Sequence, residues 1–169
     1  MIIVYHIETT GLSRLEDEIL SLSIINGEGV VLFDELIKPR IKQEWWHAQA
    51  INGISPSSVK DKRTISEHLD TIQDLFDQAD ELIAYNPEFE NAFLEEAGII
   101  FPERATFNVM DEFAVRSAKW NKSHGSYTRQ KLSTCAEYYG YKADIRTGLG
   151  KVKATLHCYQ RQTANYLQP

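Results

Sequence analysis

The chain has 169 residues, of which 43% are hydrophobic and 25% are charged, and its net charge at pH 7 is −6. These values predict one globular domain over residues 1–169, and the negative charge argues against a basic module that grips nucleic acid non-specifically. Two cysteines are too few for a disulfide framework, and no apolar run is long enough to cross a membrane, so we expect a cytoplasmic protein with reduced thiols and no membrane partner.

Three strands with tight connections open the chain. Residues 2–7 form a nearly continuous apolar run, which is typical of a strand covered on both faces. Residues 19–25 alternate apolar and small polar side chains, which indicates a second strand. The Asn-Gly-Glu-Gly sequence at residues 26–29 is a hairpin signal, so residues 30–37 are predicted to return as a third strand.

Helices alternate with short strands in the remainder of the chain. Residues 64–79 carry apolar side chains at helical spacing with an acidic outer face, which predicts a helix packed on the core. The other predicted elements are a short helix over 48–54, a strand over 82–85, a helix over 87–97, a strand over 106–110, a helix to about residue 118, a polar loop over 120–129, and helices over 131–139 and 149–167. This order favours an α/β layered fold with a mixed sheet.

The end of the first strand carries the most informative motif. Residues 5–12 read Tyr-His-Ile-Glu-Thr-Thr-Gly-Leu, an apolar strand that runs into a carboxylate and a tight turn. This segment resembles the first motif of the DnaQ-like (DEDDh) 3′–5′ exonucleases, Asp-x-Glu-Thr-Thr-Gly-Leu. At the position of the family's first metal-binding Asp, however, the chain has His6.

Three further segments resemble the same family in the same order. Residues 84–94 resemble its second motif, residues 50–55 resemble its Asn-Gly-Ile segment, and residues 149–159 resemble the helix of its last motif. The resemblance therefore covers nearly the whole chain. It implies the ribonuclease H-like, DnaQ-type exonuclease fold, with a mixed five-stranded sheet flanked by helices.

Four of the five catalytic motif positions differ from the family pattern. By the resemblance, Glu8 corresponds to a Glu that the family also has. Glu90 corresponds to a position at which the family has the shorter Asp. It places Arg146 at the general-base His and Lys151 at the last metal-binding Asp. Together with His6, these changes leave no intact catalytic set.

The resemblance also implies substrate-binding positions around this set. They are Thr9, Thr10, Gly11, Leu12, Asn52, Gly53, Ile54, Asn86 and Phe89. Trp45 and Trp46 could provide a base-stacking platform, although adjacent tryptophans more often cover a sheet edge or contact a partner.

The altered residues remove the charge that a metal pair requires. Two-metal phosphodiester hydrolysis uses hard oxygen ligands to hold two Mg²⁺ ions about 4 Å apart. The four carboxylates of the family supply −4, whereas the residues here sum close to zero. Imidazole is a poor Mg²⁺ ligand and arginine cannot act as a base. We therefore expect no cofactor, and only Glu8 and Glu90 remain as candidate metal ligands.

The same charges suggest how the site is arranged. We expect the Lys151 ammonium group to lie between Glu8 and Glu90, and Arg146 to pair with Glu90, because both pairings neutralise buried acids. His6 is more simply interpreted as a strand histidine bonded to a neighbouring carbonyl group than as a ligand of Mn²⁺ or Zn²⁺.

Two functions of different classes follow. The favoured hypothesis is a pseudo-exonuclease that binds a single-stranded nucleic-acid end, a nucleotide, a protein partner or a second copy of itself without cleavage. The alternative is an active 3′–5′ exonuclease with an atypical Mg²⁺ or Mn²⁺ site, built from Glu8 and Glu90 with help from His6 and Asp144.

Overall fold

The structure, a computed structural model, describes residues 1–103 and 106–164. Five strands form a mixed sheet: β1 (Ile2–Thr9), β2 (Ile19–Asn26), β3 (Val31–Leu36), β4 (Glu81–Ala84) and β5 (Phe107–Asn108). Their order across the sheet is β3-β2-β1-β4-β5. The first three strands are antiparallel, whereas β4 runs parallel to β1 and β5 runs parallel to β4. This arrangement confirms the predicted fold class.

Seven α-helices accompany the sheet in the described part of the chain. They are α1 (Trp46–Asn52), α2 (Pro56–Val59), α3 (Leu69–Asp77), α4 (Pro87–Ala97), α5 (Val109–Ser117), α6 (Leu132–Tyr138) and α7 (Gly148–Thr163). None of the helices in the described ranges is long and apolar enough to span a membrane.

The central strand β1 divides the core into two layers. Its side chains alternate between the two faces of the sheet, and Ile3, Tyr5 and Ile7 pack in one cluster with residues of α3 and α4. Val4 packs in the other cluster with residues of α5, α6 and α7. By the same alternation His6 and Glu8 lie on the side of the sheet that α7 covers, and α7 contacts both β1 and β2.

Two element predictions need correction, and a third extends beyond the described residues. The predicted helix over residues 64–79 is a 3₁₀ turn (Ile65–Glu67), which begins at a capping box of Thr64 and Glu67, followed by the separate helix α3. The last helix ends at Thr163, and its predicted end near residue 167 lies outside the described residues.

The predicted polar loop over residues 120–129 is instead a two-stranded hairpin. Its strands are β6 (Trp120–Asn121) and β7 (Ser126–Tyr127), which pair antiparallel. Each strand has only two residues, which is too short to produce an alternating pattern in the sequence.

Candidate functional site

A cluster of charged side chains lies between β1 and the helices α4 and α7. The two ring nitrogens of His6 contact one carboxylate each: Nδ1 is 2.7 Å from Glu90 Oε1, and Nε2 is 3.1 Å from Glu8 Oε1. The ammonium group of Lys151 donates to the same Glu8 oxygen over 2.5 Å. Glu8 and Glu90 are both buried, so their charges are neutralised by protein groups rather than by bulk water.

The start of α7 fixes the position of Lys151. Thr147 caps this helix, and its hydroxyl oxygen accepts a hydrogen bond from the backbone N–H of Gly150 over 3.0 Å. A Cβ atom at Gly150 would lie 2.2 Å from the carbonyl oxygen of Asp144, so only glycine fits there. This close approach packs the loop at Asp144 against the first turn of α7, the turn that carries Lys151.

The two carboxylates change the acid–base behaviour of His6. Burial alone would lower the pKa of the imidazole, but the hydrogen bonds and negative charges of Glu8 and Glu90 outweigh burial and raise the pKa of His6 to about 9. Burial would likewise raise the pKa of Glu8, yet the contacts with His6 and Lys151 lower it. At neutral pH the cluster therefore holds two carboxylates and two cations, and its formal charge is close to zero.

The predicted arrangement is correct for Lys151 and Glu8 but wrong for the other partners. The side chain between Glu8 and Glu90 is His6, not Lys151, and His6 contacts these carboxylates rather than a backbone carbonyl. The cause is the position of His6, which is two residues from Glu8 on the same face of β1.

The prediction that Arg146 pairs with Glu90 is also wrong. The Arg146 side chain is 88% exposed and forms a salt bridge with Asp144, whose Oδ2 atom lies 2.9 Å from Arg146 Nη2. Asp144 also accepts from the backbone N–H of Arg146 over 2.9 Å. This local pairing keeps both residues away from the charged cluster, so Asp144 does not join Glu8 and Glu90.

The turn after β1 is held by neighbouring loops. The Asn52 side chain donates to the carbonyl oxygen of Thr9 over 3.2 Å and accepts from the backbone N–H of Ile54 over 2.9 Å. Gly53 ends α1 in the left-handed conformation, and Leu12 is 86% exposed. Asn52, Gly53 and Ile54 thus lie beside the first motif, as the resemblance implies.

The remaining predicted substrate positions are divided between the core and the surface. Phe89 packs on Phe93 with ring centroids 4.9 Å apart, and Asn86 precedes α4 with a buried Oδ1 atom that has no hydrogen-bond partner among the described residues. Trp45 is buried and its indole N–H donates to Ile54, whereas Trp46 is exposed. Of these two adjacent tryptophans, only Trp46 is therefore exposed to solvent.

Two acidic residues that support the first motif were not predicted. Asp17 accepts from the Thr10 hydroxyl over 3.0 Å and from the backbone N–H of Ser13 over 3.0 Å. A Cβ atom at Gly11 would lie within 2.6 Å of the Asp17 carboxylate, which explains the glycine. Glu18 accepts from the backbone N–H groups of residues 40–42. Acids in a loop carry no sequence signal for such contacts.

The sequence model of the RNase T family, described as an exonuclease, matches residues 3–143. This chain belongs to the RNase T exonuclease family. The matched range includes His6, Glu8 and Glu90 and ends before Arg146 and Lys151.

A curated relative of this exonuclease-family chain is a far larger protein. The PolC-type DNA polymerase III of Caldanaerobacter subterraneus subsp. tengcongensis is 27% identical over 143 residues. The match covers 83% of this chain but only 10% of the polymerase.

Solved structures of exonucleases share the fold. Exonuclease X in complex with 5′-overhanging duplex DNA is 15% identical, with a TM-score of 0.72 over 100% of this chain and 95% of that chain. The nuclease domain of 3′hExo, a DEDDh family member bound to rAMP, is 17% identical, with a TM-score of 0.63 over 97% and 90% of the two chains. The zinc-bound complex of E. coli ExoI with single-stranded DNA is 17% identical, with a TM-score of 0.74 over 97% and 40%.

The residues of this exonuclease-family chain do not fit the pair of divalent ions that the DEDDh resemblance implies. Glu8 and Glu90 each use one oxygen to bind the protonated His6, and Glu8 also binds Lys151. Glu90 Oε2 is buried without a hydrogen-bond partner among the described residues, so a single carboxylate oxygen remains available there. No group of three or more His, Cys, Asp or Glu side chains within residues 1–103 and 106–164 is arranged to hold a metal ion.

Proposed function

We propose that this chain is a non-cleaving homologue of the DEDDh 3′–5′ exonucleases, a pseudo-exonuclease whose cleft binds a single-stranded nucleic-acid end or a nucleotide without hydrolysing it. The observation that carries the proposal is the contact of Glu8 with both His6 and Lys151. These two cations neutralise the carboxylate that the family uses for metal binding. A divalent ion would have to displace a salt bridge before it reached Glu8.

The electrostatic cost of adding metal ions supports this proposal. A unit charge and a divalent ion about 4 Å apart repel each other by several kcal/mol even at an effective dielectric constant of about 20. Two cations, Lys151 and protonated His6, impose that cost. Without the metal pair, nothing among the described residues of the cleft lowers the pKa of a water molecule or stabilises the charge of the leaving oxygen. Arg146 cannot remove a proton from water near neutral pH.

The retained parts of the cleft support ligand binding. The turn at residues 9–12 is held in place by hydrogen bonds of the Asp17 and Asn52 side chains. Arg146 is exposed beside the start of α7 and can pair with a phosphate group in exchange for its Asp144 partner. A protein partner or a second copy of the chain is the competing occupant, which the overall charge of −6 would suit.

The competing activity is that of a 3′–5′ exonuclease with an atypical site. The unpartnered oxygen of Glu90 favours it, because this atom could accept one cation. This oxygen and Glu8 Oε2, which has no hydrogen-bond partner among the described residues, are still far from the six oxygen ligands that Mg²⁺ requires. A low residual activity with Mn²⁺ would support this competing function.

A cleavage assay tests the proposal. Single-stranded DNA and RNA labelled at the 5′ end are incubated with the chain and Mg²⁺ or Mn²⁺, and shortening is followed on a gel. We expect intact strands, and strand binding by fluorescence anisotropy that does not require metal. Shortening that a chelator and the Glu8→Gln variant both abolish would overturn the proposal.

A gain-of-function variant provides the matched control. The quadruple variant H6D/E90D/R146H/K151D restores the family pattern at all four altered positions. We expect it to bind Mn²⁺ and to shorten the labelled strands, since the fold that supports the site is retained. The variant R146H alone, which leaves the Glu8–Lys151 contact in place, should remain inactive.

A further inference from the structure

The hairpin β6–β7 and its flanks carry positive charge in an otherwise acidic protein. Residues 118–136 contain Lys119, Lys122, Arg129 and Lys131 and no Asp or Glu. Because the whole chain carries −6, these four charges leave −10 on the rest of the molecule. Such segregation of charge creates a local attraction for anions.

Two aromatic side chains are exposed within this positive segment. Trp120 and Tyr127 face each other across the hairpin with ring centroids 5.2 Å apart and an interplanar angle of 82°. Trp120 is 54% exposed and Tyr127 is 39% exposed. Neither the indole N–H of Trp120 nor the hydroxyl of Tyr127 has a hydrogen-bond partner among the described residues, whereas the indole N–H groups of Trp45 and Trp46 are both bonded.

The aromatic pair borders a cavity between the hairpin and α5. The cavity has a volume of about 600 Å³, which is large enough for a nucleoside. Its remaining lining includes groups that can hydrogen-bond to a base: Asn121, His124, Ser126 and Thr128.

The nearby acids do not cancel the positive charge of the hairpin lysines. Arg129 donates to both oxygens of Glu88 and to both oxygens of Asp111, so these three side chains together carry −1 against the +2 of Lys119 and Lys122. Glu112 accepts from Arg116 over 2.9 Å. Lys119 and Lys122 are exposed and have no acidic partner within the described residues.

We propose that the hairpin and α5 form a second binding site, outside the charged cluster, for single-stranded nucleic acid. One base stacks on Trp120 at the mouth of the cavity, and Lys119 and Lys122 bind the flanking phosphates. An exposed aromatic ring between cations is the combination that binds unpaired bases. A duplex hides the faces of its bases, so single strands are the preferred ligand.

Binding of a fluorescein-labelled oligothymidylate, followed by anisotropy, tests this site. We expect W120A to weaken binding about tenfold, the equivalent of about 1.4 kcal/mol and within the usual value of one base–aromatic stack. The matched control is I100A, which changes an exposed apolar residue outside both the cleft and the hairpin and should leave the affinity unchanged.

Salt dependence separates the phosphate contacts from stacking. In K119Q/K122Q we expect the slope of log affinity against log salt to fall by about 1.4, since each contact with a single strand contributes about 0.7. The control K60Q/K62Q removes two exposed lysines elsewhere and should keep the slope of the parent chain.

Three outcomes would overturn the second site. They are an unchanged affinity in a folded W120A, equal affinity for duplex and single strand, and binding that E8Q abolishes while W120A retains it. If W120A does not fold, the W46F variant is titrated with the oligothymidylate instead, because Trp120 is then its exposed tryptophan. Binding of the strand should quench the Trp120 fluorescence, and an unchanged fluorescence would overturn the second site. This site does not depend on whether the cleft cleaves, so its failure leaves the cleavage assay unaffected.

Discussion

The first-motif turn and the charged cluster are adjacent in the cleft, but they are stabilised in different ways. The turn at residues 9–12 is held by Asp17 and Asn52, which bond mainly to hydroxyl and backbone groups. The cluster is held by the opposite charges of Glu8, Glu90, His6 and Lys151. The turn can therefore keep its structure while the charged positions change, which explains how the fold and the first motif persist without the metal ligands.

The largest expected effect is a loss of stability as the pH rises through the pKa of His6. The folded-state pKa of His6 is raised to about 9 from its ordinary value of about 6.5. Its contribution is therefore fully present below about pH 6.5 and is lost as the pH rises to about 9, by up to about 3 kcal/mol. Urea unfolding between these pH values measures it.

Two variants show whether this pH dependence belongs to the charged cluster. His6→Gln should remove most of the dependence, because glutamine does not titrate. His47→Gln changes an exposed histidine outside the cluster and should keep the dependence of the parent chain. A parent chain whose stability does not change across this range would refute the arrangement of charges.

Removal of the Lys151 ammonium group should have the next largest effect. Lys151→Met keeps most of the side-chain volume but leaves Glu8 with one cation, and we expect a loss of about 2 to 3 kcal/mol in the free energy of unfolding. Lys153→Met, at an exposed position of the same helix, should cost less than about 0.5 kcal/mol. Equal effects of the two variants would mean that the salt bridge contributes nothing.

A smaller effect is expected in the turn, where the ion pair that is broken, Asp17 with Lys42 over 3.3 Å, has an exposed cation. Asp17→Ala leaves the Thr10 hydroxyl and the Ser13 N–H group without their acceptor, at a cost of about 1 to 2 kcal/mol. Asp61→Ala serves as the exposed control. If Asp17→Ala also changed the pH dependence of stability between about pH 6.5 and about pH 9, where Asp17 itself does not titrate, the turn and the cluster would not be independent.

The smallest effect should be at Arg146, although it lies at a catalytic motif position. Its salt bridge with Asp144 is exposed, so Arg146→Gln should change the free energy of unfolding by less than about 0.5 kcal/mol. Denaturant unfolding of this variant beside Lys151→Met compares the two altered motif positions directly. A loss similar to that of Lys151→Met would place Arg146 in the cluster after all.

The first two strands of the sheet could be predicted because they are buried on both faces. The apolar run of β1 and the alternation in β2 arise directly from burial, and a hairpin sequence joins β2 to β3. The hairpin β6–β7 could not be predicted, because its two-residue strands lie on the surface and no core imposes a pattern on them.

The site could be predicted only in part. The motif positions indicate which residues lie near one another, but they do not indicate which side chains form ion pairs. The ion pair of Lys151 with Glu8 could be predicted, because the motif positions lie at the end of β1 and the start of α7. The pairing of Arg146 depends instead on Asp144, which is two residues away and binds both its side chain and its backbone N–H. Such a local contact orders few groups and therefore has a smaller entropic cost than a distant one.

Calorimetric titration of the parent chain with Mn²⁺ tests the central claim most directly. If His6 and Lys151 neutralise the carboxylates of the cleft, the titration should show no binding in the micromolar range at neutral pH. Two sites of micromolar affinity that Glu8→Gln abolishes would contradict this account, because Glu8 would then be free to bind metal ions.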